Sequence, residues 1–128
     1  MDWQPLIAAA TAARARAYAP YSAFAVGAAL LLEDGSIQAA ANSENALPAL
    51  SLCAERGAMA QATSLGLRRP QALVVVTDTT PPAYPCGVCR QTLAEFAEDL
   101  PILVCNLAGE REETTLAALL PHRFQLAR

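Results

Sequence analysis

A chain of 128 residues with 54% hydrophobic content has the length and apolar fraction of a single domain, residues 1–128, folded around one core. Its nine basic residues are all arginine and face twelve acidic ones, and the net charge of −3 with no basic stripe argues against long nucleic acid as a partner. Aromatic residues make up only 5%, so alanine, valine and leucine must fill the core, and such small side chains favour close-packed layers.

The chain opens Met1-Asp2-Trp3-Gln4-Pro5 without a positive leader, and Arg14 and Arg16 break the apolar stretch that follows. Neither a signal peptide nor a membrane span is expected, and the expected location is cytoplasmic. Asp2 to Tyr18 is rich in alanine and arginine with Pro5 tolerated in a first turn, which predicts a helix ended before Pro20. Tyr18 to Ser22 reads as a loop. Phe24 to Leu32 is an almost unbroken apolar run, Asp34-Gly35 is a favoured hairpin turn, and Ser36 to Ala41 runs back as a second strand.

Asn42 to Leu52, polar at its start and carrying Pro48, reads as a loop. Cys53 to Leu65 has helix-forming composition, with Gly66 as its stop. Ala72 to Thr77 is a short β-branched run, and the three prolines between Asp78 and Pro85 mark a loop after it. Cys86 to Asp99 reads as a helix with Leu93 and Phe96 at helical spacing and Pro101 beyond its end. Ile102 to Cys105 resembles a buried strand, and Leu116 to Leu120 a last short helix before Pro121. The order helix, hairpin, helix, strand, helix, strand, helix implies an α/β layered sheet with antiparallel and parallel pairs.

The chain carries four cysteines, and outside a secreted protein these are expected to bind metal or fill core space rather than form disulfides. Cys53 opens one predicted helix, and Cys86 and Cys89 lie three residues apart on one face of another. A helix N-terminus lowers a thiol's pKa, and three thiolates on a tetrahedral zinc leave one position open for water, the mark of a catalytic site. Glu55 follows Cys53 too closely to be a second ligand from the same turn, and is placed to move protons at that open position. Three thiolates on a divalent ion leave a net charge of about −1, which Arg56 can offset with its guanidinium. Cys105 would close the site as a fourth thiolate, but its apolar run Ile102-Leu103-Val104 favours a core role. His122, beside Pro121, reads as a surface histidine.

Three stretches carry a likeness to a known family: Tyr18-Ala19-Pro20-Tyr21-Ser22 with Phe24 and Val26-Gly27-Ala28-Ala29-Leu30, then Cys53-Ala54-Glu55-Arg56, then Pro85-Cys86-Gly87-Val88-Cys89-Arg90-Gln91. With them the sequence resembles the small homotetrameric cytidine deaminases over nearly its whole length. That resemblance implies a layered α/β/α fold with a mixed central sheet of about five strands. It implies zinc and the hydrolytic deamination of cytidine and deoxycytidine to uridine and deoxyuridine with release of ammonia, a step of pyrimidine salvage. It further implies that Asn42 and Glu44 hold the ribose hydroxyls, that the Ala54 N–H meets the pyrimidine carbonyl, and that Phe24 packs near the base. Phe124 is implied to stack on the base in a neighbouring subunit's site, within a homotetramer whose sites are shared.

The family usually has an apolar residue where Ser43 stands, and an Ala-Ser-Tyr-Gly type stretch where Ala46-Leu47-Pro48-Ala49 stands here. These departures bear on substrate preference and subunit contacts. Two alternatives stand beside this reading. One is a deaminase of the same fold acting on another aminated nucleoside, a free base or a nucleoside antibiotic. The other is a noncatalytic zinc-stabilised domain, which would need a fourth ligand and would have no use for Glu55.

Overall fold

A computed structural model of the chain describes residues 1–127. Its elements are α1 (Gln4–Arg14), β1 (Gly27–Leu31), β2 (Ile37–Ala41), a 3-10 turn (Pro48–Leu50), α2 (Ala54–Ser64), β3 (Ala72–Thr77), α3 (Gly87–Ala94), β4 (Pro101–Asn106), β5 (Arg111–Thr115) and α4 (Leu116–Leu119). The strands form one five-stranded mixed sheet in the order β2-β1-β3-β4-β5. β1 runs antiparallel to both β2 and β3, β3 and β4 are parallel, and β5 returns antiparallel to β4. The parallel pair needs a crossover, and α3 provides it.

Strand alternation builds two apolar layers. On one face Leu73, Val75, Ile102 and Val104 meet Ala58, Met59 and Ala62 of α2 and Leu93 of α3. On the other, Ala72, Val74, Val76, Leu103 and Cys105 meet Trp3, Leu6 and Ala10 at α1. The result is the expected α/β/α layering, with β3 buried along its whole length.

Local departures from the sequence reading each have a tertiary cause. α1 ends at Arg14 rather than Tyr18, because the Tyr18 N–H bonds Asn42 O and the Tyr18 carbonyl accepts from Glu44 N. β1 begins at Gly27 rather than Phe24, because the Asn42 side chain takes the Val26 N–H and donates to Phe24 O in place of a strand ladder. α3 stops at Ala94 rather than Asp99. There the Arg123 guanidinium donates to the carbonyls of Ala94, Ala97 and Glu98, which the next turns of a helix would otherwise satisfy. β5 escaped the chain reading because Arg111-Glu112-Glu113-Thr114-Thr115 is an edge strand with no apolar alternation, mostly exposed. The expected turns are present, with Gly35 and Gly66 at φ 84 and 82.

No helix among the described residues is long and apolar enough to cross a membrane.

Candidate functional site

The amino ends of α2 and α3, the carboxyl end of β3 and the chain entering β1 meet on one side of the sheet. Cys53 is the N-cap residue of α2 and Cys86 that of α3, both in extended backbone, and neither side chain caps its own helix. Their thiols are therefore free to turn toward each other, and Cys89, one helical turn on, joins them. The three sulfurs lie within 4.8 Å of one another, and Cys86 and Cys89 are 3.6 Å apart.

This arrangement fits zinc. A tetrahedral ion with sulfur ligands at about 2.3 Å holds those sulfurs about 3.8 Å apart. The three cysteines are the only such cluster among the described residues. Cys105 lies with Leu103 in the α1-side layer, across the sheet from α2 and α3, so it cannot close the site as a fourth thiolate.

The fold favours one thiolate in this cluster, at Cys53. A hydrogen bond from Cys89 brings the Cys53 thiol down to about 5, against the opposing effect of burial and with help from Cys86 and the Arg56 guanidinium. Cys89, which keeps the shared proton and is buried beside Glu55, is pushed far above the ordinary thiol range. Glu55, 5% exposed, is raised to about 7 by burial, and the negative charge on Cys53 adds to the shift. A carboxyl group so placed gains and loses a proton near neutral pH.

A cavity of about 250 Å³ opens above these groups, lined on one side by Phe24, Asn42, Glu44, Cys53, Ala54 and Glu55. Val75, Thr77, Tyr84 and Cys86 are among the residues that complete it. Ala54 is the first residue of α2, where the backbone N–H has no helical partner. Asn42 and Glu44 both reach across to the chain before β1. Asn42 Oδ1 accepts from Val26 N at 2.9 Å and its Nδ2 donates to Phe24 O at 2.8 Å, while Glu44 Oε1 accepts from Tyr21 N at 2.9 Å. Phe124 stands apart. It is 69% exposed, lies in a separate groove with Gln91 and Arg123, and has its backbone bracketed by the Gln91 side-chain amide.

The chain matches the family described as the cytidine and deoxycytidylate deaminase zinc-binding region over residues 2–104. It belongs to that family. The cytidine deaminase of Sporosarcina psychrophila is 51% identical to this family member over 125 residues, covering 97% of this chain and 92% of the relative. That of Mycobacterium tuberculosis strain H37Rv is 45% identical over 126 residues, covering 98% and 92%. The crystal structure of the Burkholderia pseudomallei cytidine deaminase superposes with a TM-score of 0.92 at 43% identity, covering 97% of this chain and all of that one. The protein is thus a deaminase of the zinc-binding class, and zinc is its cofactor.

Sequence reasoning passed over three residues of this deaminase site. Thr77 ends β3 inside the cavity, where its Oγ1 is 3.1 Å from Thr79 Oγ1 and so ties down the loop that follows. Tyr84 lines the cavity and donates its phenol to Glu112 on β5, a pairing visible only once β5 is known. Ser22 stood in a motif but had no assigned role; it does not line the cavity, but its hydroxyl donates to the Glu44 carboxylate, which does.

Proposed function

We propose that this chain catalyses the hydrolytic deamination of cytidine and deoxycytidine, giving uridine or deoxyuridine and ammonia, as a step of pyrimidine salvage in the cytoplasm. The observation that carries the reading is the meeting of three thiols and one deeply buried carboxyl group at the end of a nucleoside-sized cleft. A structural zinc site has no use for such a carboxyl, whereas proton transfer does.

Cys53, Cys86 and Cys89 would hold zinc, which supplies the Lewis acidity that makes a water molecule nucleophilic near neutral pH. Glu55 takes a proton from the attacking water and gives it to the ring nitrogen beside C4. It then passes the second proton to the C4 amine, so that the C4–O bond replaces the C4–N bond and ammonia leaves. Glu55, raised to about 7, is suited to act first as base and then as acid. The Ala54 N–H donates to the pyrimidine carbonyl, Phe24 packs against the base, and Asn42 and Glu44 receive the ribose hydroxyls. Arg56, beside Cys53, offsets the surplus negative charge of three thiolates.

The sites are shared within a homotetramer, Phe124 closing the cavity of a neighbouring chain. Two features support this. Phe124 does not line its own chain's cavity, and it is exposed, as Tyr21, Leu47 and Leu50 also are elsewhere on the surface.

The test is ammonia release by the zinc-loaded protein over cytidine, deoxycytidine, cytosine and adenosine, in parallel with Glu55→Gln. Turnover of the two cytosine nucleosides is expected, with a loss of about 10²- to 10⁴-fold in the zinc-retaining variant. No turnover of either nucleoside would refute the reading, and full activity of the variant would remove Glu55 from the mechanism.

A further inference from the structure

The two polar residues proposed to hold the sugar are not held by their own strand. Glu44 follows β2, yet its carboxylate is oriented by the Tyr21-Ser22 turn that precedes β1. Oε1 accepts from Tyr21 N at 2.9 Å and from Ser22 N at 3.2 Å, and Oε2 accepts from Ser22 Oγ. The same Ser22 Oγ accepts from Phe24 N at 3.0 Å. One hydroxyl thus joins the carboxylate at the sugar end to the backbone of the aromatic residue at the base end. Phe24 and Glu44 line the cavity and Ser22 does not.

Between them stands Ala23 at φ 58, the one non-glycine residue with positive φ among the described residues. Alanine adopts the left-handed region only where surrounding contacts impose it. Here the bonds from Ser22 to Glu44 and Phe24, and from Asn42 to Phe24 and Val26, bracket it on both sides.

We propose that Ser22 is a positioning residue of the sugar subsite, its hydroxyl setting the direction of the Glu44 carboxylate and the seat of Phe24 together; this rests on the nucleoside reading above. An ionised carboxylate has about four acceptor directions. The turn occupies three of them, so Glu44 keeps one for a ligand. Without the Ser22 hydroxyl the carboxylate is free to rotate on its two backbone donors, and the substrate must fix it on binding. That cost falls on binding, since neither group touches the thiols.

The experiment measures KM and kcat for cytidine in Ser22→Ala, Glu44→Ala and the double variant, with zinc content and thermal melts confirming that each is folded and loaded. Ser22→Ala should raise KM about tenfold with kcat within about twofold, the size expected for one charge-assisted hydrogen bond partly replaced by water. The double variant should lose less than the sum of the two single losses, because most of what Ser22 does passes through Glu44 and only the seat of Phe24 is left to it once Glu44 is gone. Ser22→Thr, which keeps the hydroxyl, should restore the parent KM, and Ser22→Val, of the same shape without it, should not. This last pair decides the matter if Ser22→Ala proves unstable. An unchanged KM in Ser22→Ala or Ser22→Val, or additive losses in the double variant, would overturn the proposal while leaving the deaminase reading intact. A zinc-loaded parent protein with no activity on cytidine would overturn both.

Discussion

Gly27→Ala should be among the most damaging single-methyl additions in the chain. Gly27 opens β1 where α1 crosses it, and a Cβ there would lie 1.9 Å from the Ala10 carbonyl oxygen and 2.8 Å from both Cβ and N of Arg14. Carbon and oxygen atoms ordinarily approach to about 3.3 Å, so α1 would have to retreat by roughly 1.4 Å. The obstructing atoms are mainly backbone, and no rotamer change relieves them. Retreat would also open the seam where the fully buried Ala10 and the nearly buried Leu6 meet Ala29, Val74 and Val76. Overpacking a core costs about 1 to 3 kcal/mol, and a displaced helix belongs at the upper end of that range. For a chain of this size about 3 kcal/mol corresponds to a fall in Tm of roughly 12 °C. Thermal and urea melts of the zinc-loaded protein measure it. Gly87→Ala is the control, since its added Cβ meets nothing within 4 Å. A loss below about 1 kcal/mol at Gly27 would refute the argument, because it would mean that α1 is loosely seated.

Cys105→Ala should lower stability as a core truncation yet leave one zinc per chain, because Cys105 lies in the α1-side layer; loss of zinc, measured by metal analysis, would contradict the three-thiol assignment. Removing zinc with a chelator should lower the melting temperature, by an amount equivalent to about 4 kcal/mol at zinc a thousandfold above its Kd, and restoring zinc should reverse the loss; a Tm indifferent to zinc would place the metal elsewhere. For the homotetramer proposed above, mixed assemblies of Phe124→Ala and Glu55→Gln chains, purified through two tags, should exceed the weighted mean activity of the two parent variants, since some sites then combine an intact Glu55 with an intact Phe124. Activity equal to that mean would show that Phe124 serves no neighbouring site.

Where the sequence was readable, the reason was local. The hairpin at Asp34-Gly35, the strand Ala72 to Thr77 and the start of α2 at Cys53 each depend on residues within a few positions, and the structure has them there. The three thiols were legible because helix starts bring N-cap residues to a common edge. The misreadings share the opposite cause. The ends of α1 and α3 and the start of β1 are decided by partners 16 to 29 positions away, such as Asn42 for Val26 and Arg123 for Ala94. No local pattern records those partners. β5 is charged because it is an edge, and the carboxylate that holds the Tyr84 phenol is part of it. Asn42 and Glu44 were marked by family likeness alone, and only the structure shows that the Tyr18 to Val26 segment holds both in place.

The charge of the site follows from the fold as much as from the ligands. Three thiolates and one divalent ion sum to minus one, and an ionised Glu55 would make it minus two, inside a region where Glu55 is 5% exposed. Two helix N-termini point at this charge, because β1 and β3 are antiparallel and α2 and α3 both begin at the edge where β3 ends. Each N-terminus acts as about half a positive charge, so the pair offsets roughly one unit before any side chain is counted. In the proposed site Arg56, whose guanidinium lowers the pKa of Cys53, would offset a second. What remains is close to neutral with Glu55 ionised and positive with it protonated, so the carboxyl can cycle between its two forms without leaving a large uncompensated charge in either. A neutral imidazole ligand would have lowered the negative charge by other means. In the reading proposed above this chain, whose one histidine is exposed on the far C-terminal segment, would reach that balance with an arginine and two helix ends.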